Sequence, residues 1–272
     1  MTHYQKLIEA AAYLKQFVQE NTKTSVILGS GLGNFVKEIE IVNEIPYEQI
    51  PHFPVSTVKG HHGKLIFGNV AGKPILAMAG RFHLYEGYGK EEVVFPIRIM
   101  KMLGIETILM SNAAGGVNLS FKVGDLMIIK DHISLATKNP LIGANDDRLG
   151  TRFPDMSEPY KKSLIQKAKE IAREHNITLK EGVYFGVTGP TFETRAEYKM
   201  IHVLGGDAVG MSTVPETIAA VHAGMNVFAM SVITDIGIRE EENVITHEEV
   251  LEAAQNAEPI FSTVFRELIR TL

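Results

Sequence analysis

Residues 25–33 read Ser25-Val26-Ile27-Leu28-Gly29-Ser30-Gly31-Leu32-Gly33. A short apolar run rich in β-branched side chains ends in a glycine-rich turn, which predicts a buried strand with a bare backbone loop at its carboxyl end. In that position the N–H groups and the Ser30 hydroxyl can cradle a phosphate, although a plain tight turn has the same signature. The third glycine comes one place too early for a dinucleotide fingerprint, and no Gly-Lys-Ser/Thr ending follows as in a Walker loop.

Working outward, similar short runs recur at 64–70, 74–79, 107–111, 125–133, 182–187 and 227–234. Amphipathic stretches at 91–103, 160–174, 195–204 and 215–223 lie between them, and residues 1–20 read as a surface helix. The alternation predicts an α/β fold, a mixed β-sheet sandwiched by helices in one domain over 1–272. A last helix begins at Thr246, with Glu249 three residues on to complete a capping box. The stretch 134–157, rich in Gly, Pro, Asn and Asp, reads as a loop of a length usually kept for function.

The net charge of −5 gives no reason to expect nucleic acid or an anionic membrane as partner, so any bound anion needs a local site. The absence of cysteine excludes a disulfide scaffold, a thiolate nucleophile and cysteine-ligated metals. The charged residues within 1–20 are unlike a signal peptide, and the apolar runs are too short for a bilayer, so a cytoplasmic location is expected. His61 and His62 lack metal-site spacing, no His-Glu-x-x-His element occurs, and no metal is expected.

Several strand ends carry chemistry-bearing residues, and in open α/β sheets ligands collect there. Arg81-Phe82-His83 follows the strand at 74–79 and sets a guanidinium and an imidazole at alternate positions of an extended segment, where both could face one anion. Asn112-Ala113-Ala114-Gly115-Gly116 reads as a small-residue strand end open to a ligand or simply close-packed. Gly189-Pro190-Thr191-Phe192-Glu193-Thr194 offers a ring to stack on a flat ligand and a carboxylate that accepts from N–H donors; core packing beside a helix start is the plainer alternative. In Gly210-Met211-Ser212-Thr213-Val214-Pro215-Glu216, Ser212 is equally readable as a cap for the following helix.

Taken in order, Gly-Ser-Gly-Leu-Gly, Gly-His-His-Gly, Gly-Arg-Phe-His-x-Tyr-Glu-Gly, Asn-Ala-Ala-Gly-Gly, Gly-Pro-Thr-Phe-Glu-Thr and Val-Gly-Met-Ser-Thr-Val-Pro-Glu resemble the trimeric purine nucleoside phosphorylases over essentially the whole chain. The resemblance implies a nucleoside phosphorylase-like fold and the reversible phosphorolysis of inosine, guanosine and their deoxy forms in purine salvage. It implies a homotrimer with no cofactor, inorganic phosphate being a co-substrate. It assigns Ser30, His61, Arg81, His83, Ala113 and Ser212 to phosphate, and Tyr85, Met211 and His247 to the sugar. Phe153 is expected to reach the sugar site of a neighbouring subunit. Phe192, Glu193, Val209 and Asp235 fall to the base, with His83, Glu193 and Asp235 as the catalytic set.

Asp235 departs from the asparagine usual in enzymes for 6-oxopurines and resembles the aspartate of adenine-cleaving relatives. A methylthioadenosine or adenosine phosphorylase is therefore the alternative, with Arg81-Phe82-His83 and Glu193 speaking against it. An ionised carboxylate only accepts hydrogen bonds, so Asp235 would favour a 6-amino group, while Glu193 favours a protonated N1. The two agree if Asp235 is held protonated beside Glu193, since like charges in proximity raise one pKa. A nucleotide-binding oxidoreductase has only the glycine-rich loop in its favour.

Overall fold

The computed structural model describes residues 1–58, 62–238 and 245–272. Among the described residues nine strands form a mixed sheet: β1 (Thr24–Leu28), β2 (Glu40–Pro46), β3 (Lys64–Val70), β4 (Lys73–Ala79), β5 (Thr107–Gly116), β6 (Leu126–Ile133), β7 (Leu179–Gly186), β8 (Ala208–Gly210) and β9 (Asn226–Ile236). Their order is β2-β3-β4-β1-β5-β8-β7-β6-β9, with β9 also pairing with β5, so the second half of the sheet closes into a ring. The helices α1 (His3–Leu14), α2 (Lys90–Val93), α3 (Phe95–Met102), α4 (Lys162–Glu174), α5 (Arg195–Val203), α6 (Val214–His222) and α7 (His247–Arg270) flank it. This is the expected α/β sandwich; the closure of one half is not visible in apolar periodicity.

β1 is buried along its whole length, as a parallel strand covered on both faces requires. Its carboxyl end passes so close to β5 that a Cβ on Gly29 would lie 2.6 Å from Ser111 O and 2.8 Å from Asn112 Cα. Gly31 has φ +78°, and its absent Cβ leaves the space taken by Ala254 of α7. The glycine-rich loop is thus a packing junction between two strands and α7. The segment after it is a short 3₁₀ helix, Gly33–Glu38, rather than an α-helix.

Three local expectations change. The single helix over 91–103 divides into α2 and α3 at Val94, because Pro96 has no N–H to continue the ladder and begins a new helix instead. The segment 112–116 belongs to β5 rather than to a loop beyond it. β2 has no apolar run to announce it, being an edge strand with mostly exposed side chains, and β8 has only three residues.

One irregularity aims a side chain. β5 and β9 pair in register up to Ala114 and Ile233, and then Gly115 faces Asp235. Thr234 is therefore an extra residue in β9, and such a bulge re-aims the side chain that follows it. The Asp235 carboxylate turns over Gly115, where a Cβ would sit 3.0 Å from Oδ2.

Candidate active site

A cavity of about 470 Å³ opens at the carboxyl ends of β1, β5 and β9, with β8 and the segments after β4 and β7 completing its wall. Ser30, Arg81, His83, Tyr85, Ala113, Phe192, Glu193, Val209, Met211, Ser212, Asp235 and His247 all line it. Of the remaining expected site residues, His61 lies outside the described residues. Phe153, in the loop between β6 and α4, is 85% exposed and does not line the cavity.

Arg81 continues the line of β4 into the site. Its guanidinium is buried to 3% exposure against the equally buried Glu216 carboxylate, with Nε 2.9 Å from Glu216 Oε1. Nη1 donates to Ser111 O at 2.6 Å and to Ser212 Oγ at 3.3 Å. A buried cation with a carboxylate behind it and a carbonyl beside it has a fixed fork, the requirement for oriented contact with an oxyanion. Glu216 sits in the first turn of α6, where the helix dipole also favours its negative charge.

His83 is held from the other side. Glu86 Oε1 accepts from the His83 backbone N at 2.8 Å and from His83 Nδ1 at 2.9 Å, while Oε2 accepts from Thr57 N and Thr57 Oγ1. Burial pushes the Glu86 carboxyl up, but the hydrogen bonds from His83 and Thr57 outweigh it and hold the pKa at about 2. Glu86 is therefore ionised and can only accept, so the Nδ1 that faces it carries a proton. The imidazole stacks on Tyr85 with centroids 4.5 Å apart and planes 16° from parallel.

Ser212 does not cap α6. The cap is Thr213, which makes no side-chain capping bond and instead adopts φ 69°, ψ −46°. Behind them Tyr184 offers its hydroxyl oxygen to Ser212 N at 3.4 Å. Met211 packs against Gly189, where a Cβ would fall 2.2 Å from its sulfur.

The carboxylates Glu193 and Asp235 form a third group. Asp235 Oδ1 accepts from Thr234 Oγ1 at 3.1 Å, so the bulge residue also anchors it. Burial raises the Glu193 pKa, the hydroxyl of Tyr198 opposes the rise by hydrogen bonding, and the Asp235 charge adds to it. Tyr198 itself, on α5, lines the cavity in space that a side chain on Gly237 would occupy. Glu86, Glu216, Tyr184 and Tyr198 were not singled out in the sequence. Glu86 and Glu216 lie inside the quoted motifs, three residues from His83 and four from Ser212, so spacing could have flagged the first; the Arg81–Glu216 pair spans the fold and leaves no local signal.

Arg81 and His83, a carboxylate pair and an aromatic edge thus share one cavity. A family model described as the phosphorylase superfamily matches residues 23–270. Purine nucleoside phosphorylase 1 of Geobacillus stearothermophilus is 50% identical over 97% of this chain and 96% of its own. The chain belongs to the purine nucleoside phosphorylases of the phosphorylase superfamily. Among solved structures of that family, isoform 2 of the Schistosoma mansoni purine nucleoside phosphorylase, in complex with cytosine and ribose-1-phosphate, superposes with a TM-score of 0.93 at 44% identity. The match covers 99% of this chain and 97% of that one. A second Schistosoma enzyme of the family, in complex with hypoxanthine, gives 0.92 at 38% identity over 100% and 99% of the two chains. Among the described residues no helix is long and apolar enough to cross a membrane.

Proposed function

We infer that this phosphorylase cleaves purine nucleosides with inorganic phosphate, releasing the base and a ribose 1-phosphate, and that inosine, guanosine and their deoxy forms are its main substrates. The observation that carries the reading is the single cavity shared by the Arg81–Ser212 and His83 donors, the Tyr85 ring and the Glu193–Asp235 carboxylates. The names of the relatives favour it over the methylthioadenosine alternative.

In this reading phosphate sits on Ser30, Arg81, His83, the Ala113 backbone and Ser212, and Tyr85, Met211 and His247 hold the ribose. A phosphate oxygen attacks C1′ from the face opposite the base. The C1′–N9 bond breaks, its electron pair leaves with the purine, and the base takes up a proton. Positive charge develops on the ribose and negative charge on the base, as in other oxocarbenium-like displacements. The phosphate dianion stabilises the first, and the groups around the base stabilise the second. Phe192 and Val209 bound the ring. No cofactor or metal is required, because the work is positioning and charge stabilisation.

Glu193 accepts from the N1 proton of a 6-oxopurine. For Asp235 to assist at N7, the carboxylate pair must hold one proton, as two like charges in proximity favour. We further propose a homotrimer with Phe153 completing the neighbour's sugar site, and a role in purine salvage in the cytoplasm.

The test is a phosphate-dependent assay on inosine, guanosine, adenosine and methylthioadenosine side by side, for the parent and Asp235→Asn. Inosine and guanosine should lead, with measurable adenosine cleavage, and Asp235→Asn should raise the inosine-to-adenosine ratio of kcat/KM. An unchanged ratio would show that Asp235 does not read the base; methylthioadenosine as the best substrate would overturn the substrate assignment.

A further inference from the structure

Ser212 is tied to two buried neighbours that the reading above does not use. The Asn112 side-chain amide donates from Nδ2 to Thr213 Oγ1 at 2.8 Å, and Thr213 Oγ1 lies 3.1 Å from Ser212 Oγ. Asn112 and Thr213 are both almost wholly inaccessible to solvent. Thr213 occupies the left-handed region at φ 69°, ψ −46°, in a γ-turn closed by Val214 N donating to Ser212 O at 2.7 Å. A β-branched residue enters that region only when its surroundings over-determine it, and such strain gathers at functional sites. Glycine would relieve the backbone but would carry no hydroxyl.

The hydroxyl has a directional consequence. A threonine or serine hydroxyl has one proton to give and two lone pairs to receive with. The Asn112 amide fills one acceptor position of Thr213 Oγ1; the contact with Ser212 Oγ allows either hydroxyl to donate, and an anion in the cavity favours the direction in which Thr213 gives its proton to Ser212 Oγ. Ser212 Oγ also accepts from Arg81 Nη1 at 3.3 Å. With both lone pairs of Ser212 engaged, its proton has to point elsewhere, and Ser212 lines the cavity. Run in the opposite direction, the same chain would spend the Ser212 proton on Thr213 and leave a lone pair facing an anion.

We propose that Asn112 and Thr213 form a one-way hydrogen-bond relay that turns the Ser212 hydroxyl into an obligatory donor to phosphate, which makes both of them positioning residues for the reaction. The proposal rests on the assignment of Ser212 to the phosphate site and adds what orients it. Thr213 Oγ1 accepts from Asn112, donates to Ser212, and touches no substrate.

The test measures KM for phosphate at saturating inosine, and KM for inosine at saturating phosphate, in Ser212→Ala, Thr213→Val, Thr213→Ser, Asn112→Ala and the Ser212→Ala/Thr213→Val double variant. Thr213→Val keeps the shape and removes the relay, so the phosphate KM should rise about tenfold or more, the scale of a hydrogen bond to a charged group. The inosine KM should stay within about twofold, and Thr213→Ser should restore the parent phosphate KM. Asn112→Ala should move in the same direction as Thr213→Val, and the double variant should be no worse than Ser212→Ala alone. Equal impairment in Thr213→Val and Thr213→Ser, or an additive double variant, overturns the relay. If Thr213→Val does not fold, Asn112→Ala in the parent and in the Ser212→Ala background carries the same comparison. Should Ser212→Ala leave the phosphate KM unchanged, the assignment of Ser212 itself falls; should it raise that KM while Thr213→Val does not, only the relay falls.

Discussion

The two nitrogen donors Arg81 and His83 in the cavity are each backed by a carboxylate: Glu216 behind Arg81, and Glu86 behind His83. The arrangement keeps both donors aimed before any ligand arrives, which is the form of electrostatic preorganisation that lowers a barrier without reorganisation during the reaction. Glu86 also leaves a pH signature. Its carboxyl is held at about 2 in the folded chain, below the ordinary value of 4.5. The folded state therefore binds fewer protons than the unfolded one between those values, and stability present above pH about 4.5 is lost as pH falls toward 2. Urea midpoints measured from pH 5 down to 3 should fall more steeply in the parent than in Glu86→Gln, and parallel slopes would remove Glu86 from this role. At this scale most of the site was legible, because strand-end motifs with Arg, His, Ser and Glu are local in sequence. The backing carboxylate of Arg81 was not, since Arg81 and Glu216 meet only through the fold.

The site depends on elements that end in close contact with one another. β1 reaches the cavity because Gly29 lets it pass against β5, and Gly31 lets α7 close over the turn. Gly31→Ala would require a Cβ 2.4 Å from Ala254 Cβ and an alanine at φ +78°. Overpacking and left-handed strain each cost about 1–3 kcal/mol. Chemical denaturation should show a loss in at least that range, and Gly31→Ala/Ala254→Gly should recover part of it; full stability in Gly31→Ala would mean that the loop can move away from α7. Apolar runs located β1, β3, β4 and β6 and the body of β5, β7 and β9, and the Thr246–Glu249 spacing located the start of α7. The runs could not reveal the bulge at Thr234 that turns Asp235 over Gly115, because the run at 227–234 looks like any buried strand. Periodicity also missed the break at Val94 although Pro96 was in view, since proline is tolerated in a first turn and the amphipathic pattern continues past it.

On the scale of the whole molecule, one expected site residue is out of reach of its own cavity. Phe153 is exposed, with the Arg152 guanidinium 5.6 Å from its ring centroid, on a loop without regular structure. An exposed aromatic on a long loop is accounted for if it fills a neighbour's site, as the trimer proposal holds. Light scattering should then give roughly three times the 30.0 kDa of the chain. Subunits carrying Phe153→Ala, mixed with subunits carrying Glu193→Ala, should form hybrids with more activity than either variant alone, and a fully active monomer would refute the shared site. Sequence periodicity says nothing about such an assembly, because the residues that meet across subunits belong to different copies. In the proposed reaction phosphate is the attacking group, and everything else about the site follows from that. The most direct measurement is hypoxanthine release from inosine with phosphate present and rigorously removed. Release should require phosphate and yield one ribose 1-phosphate per base; release at the same rate without it, with free ribose as product, would contradict the account.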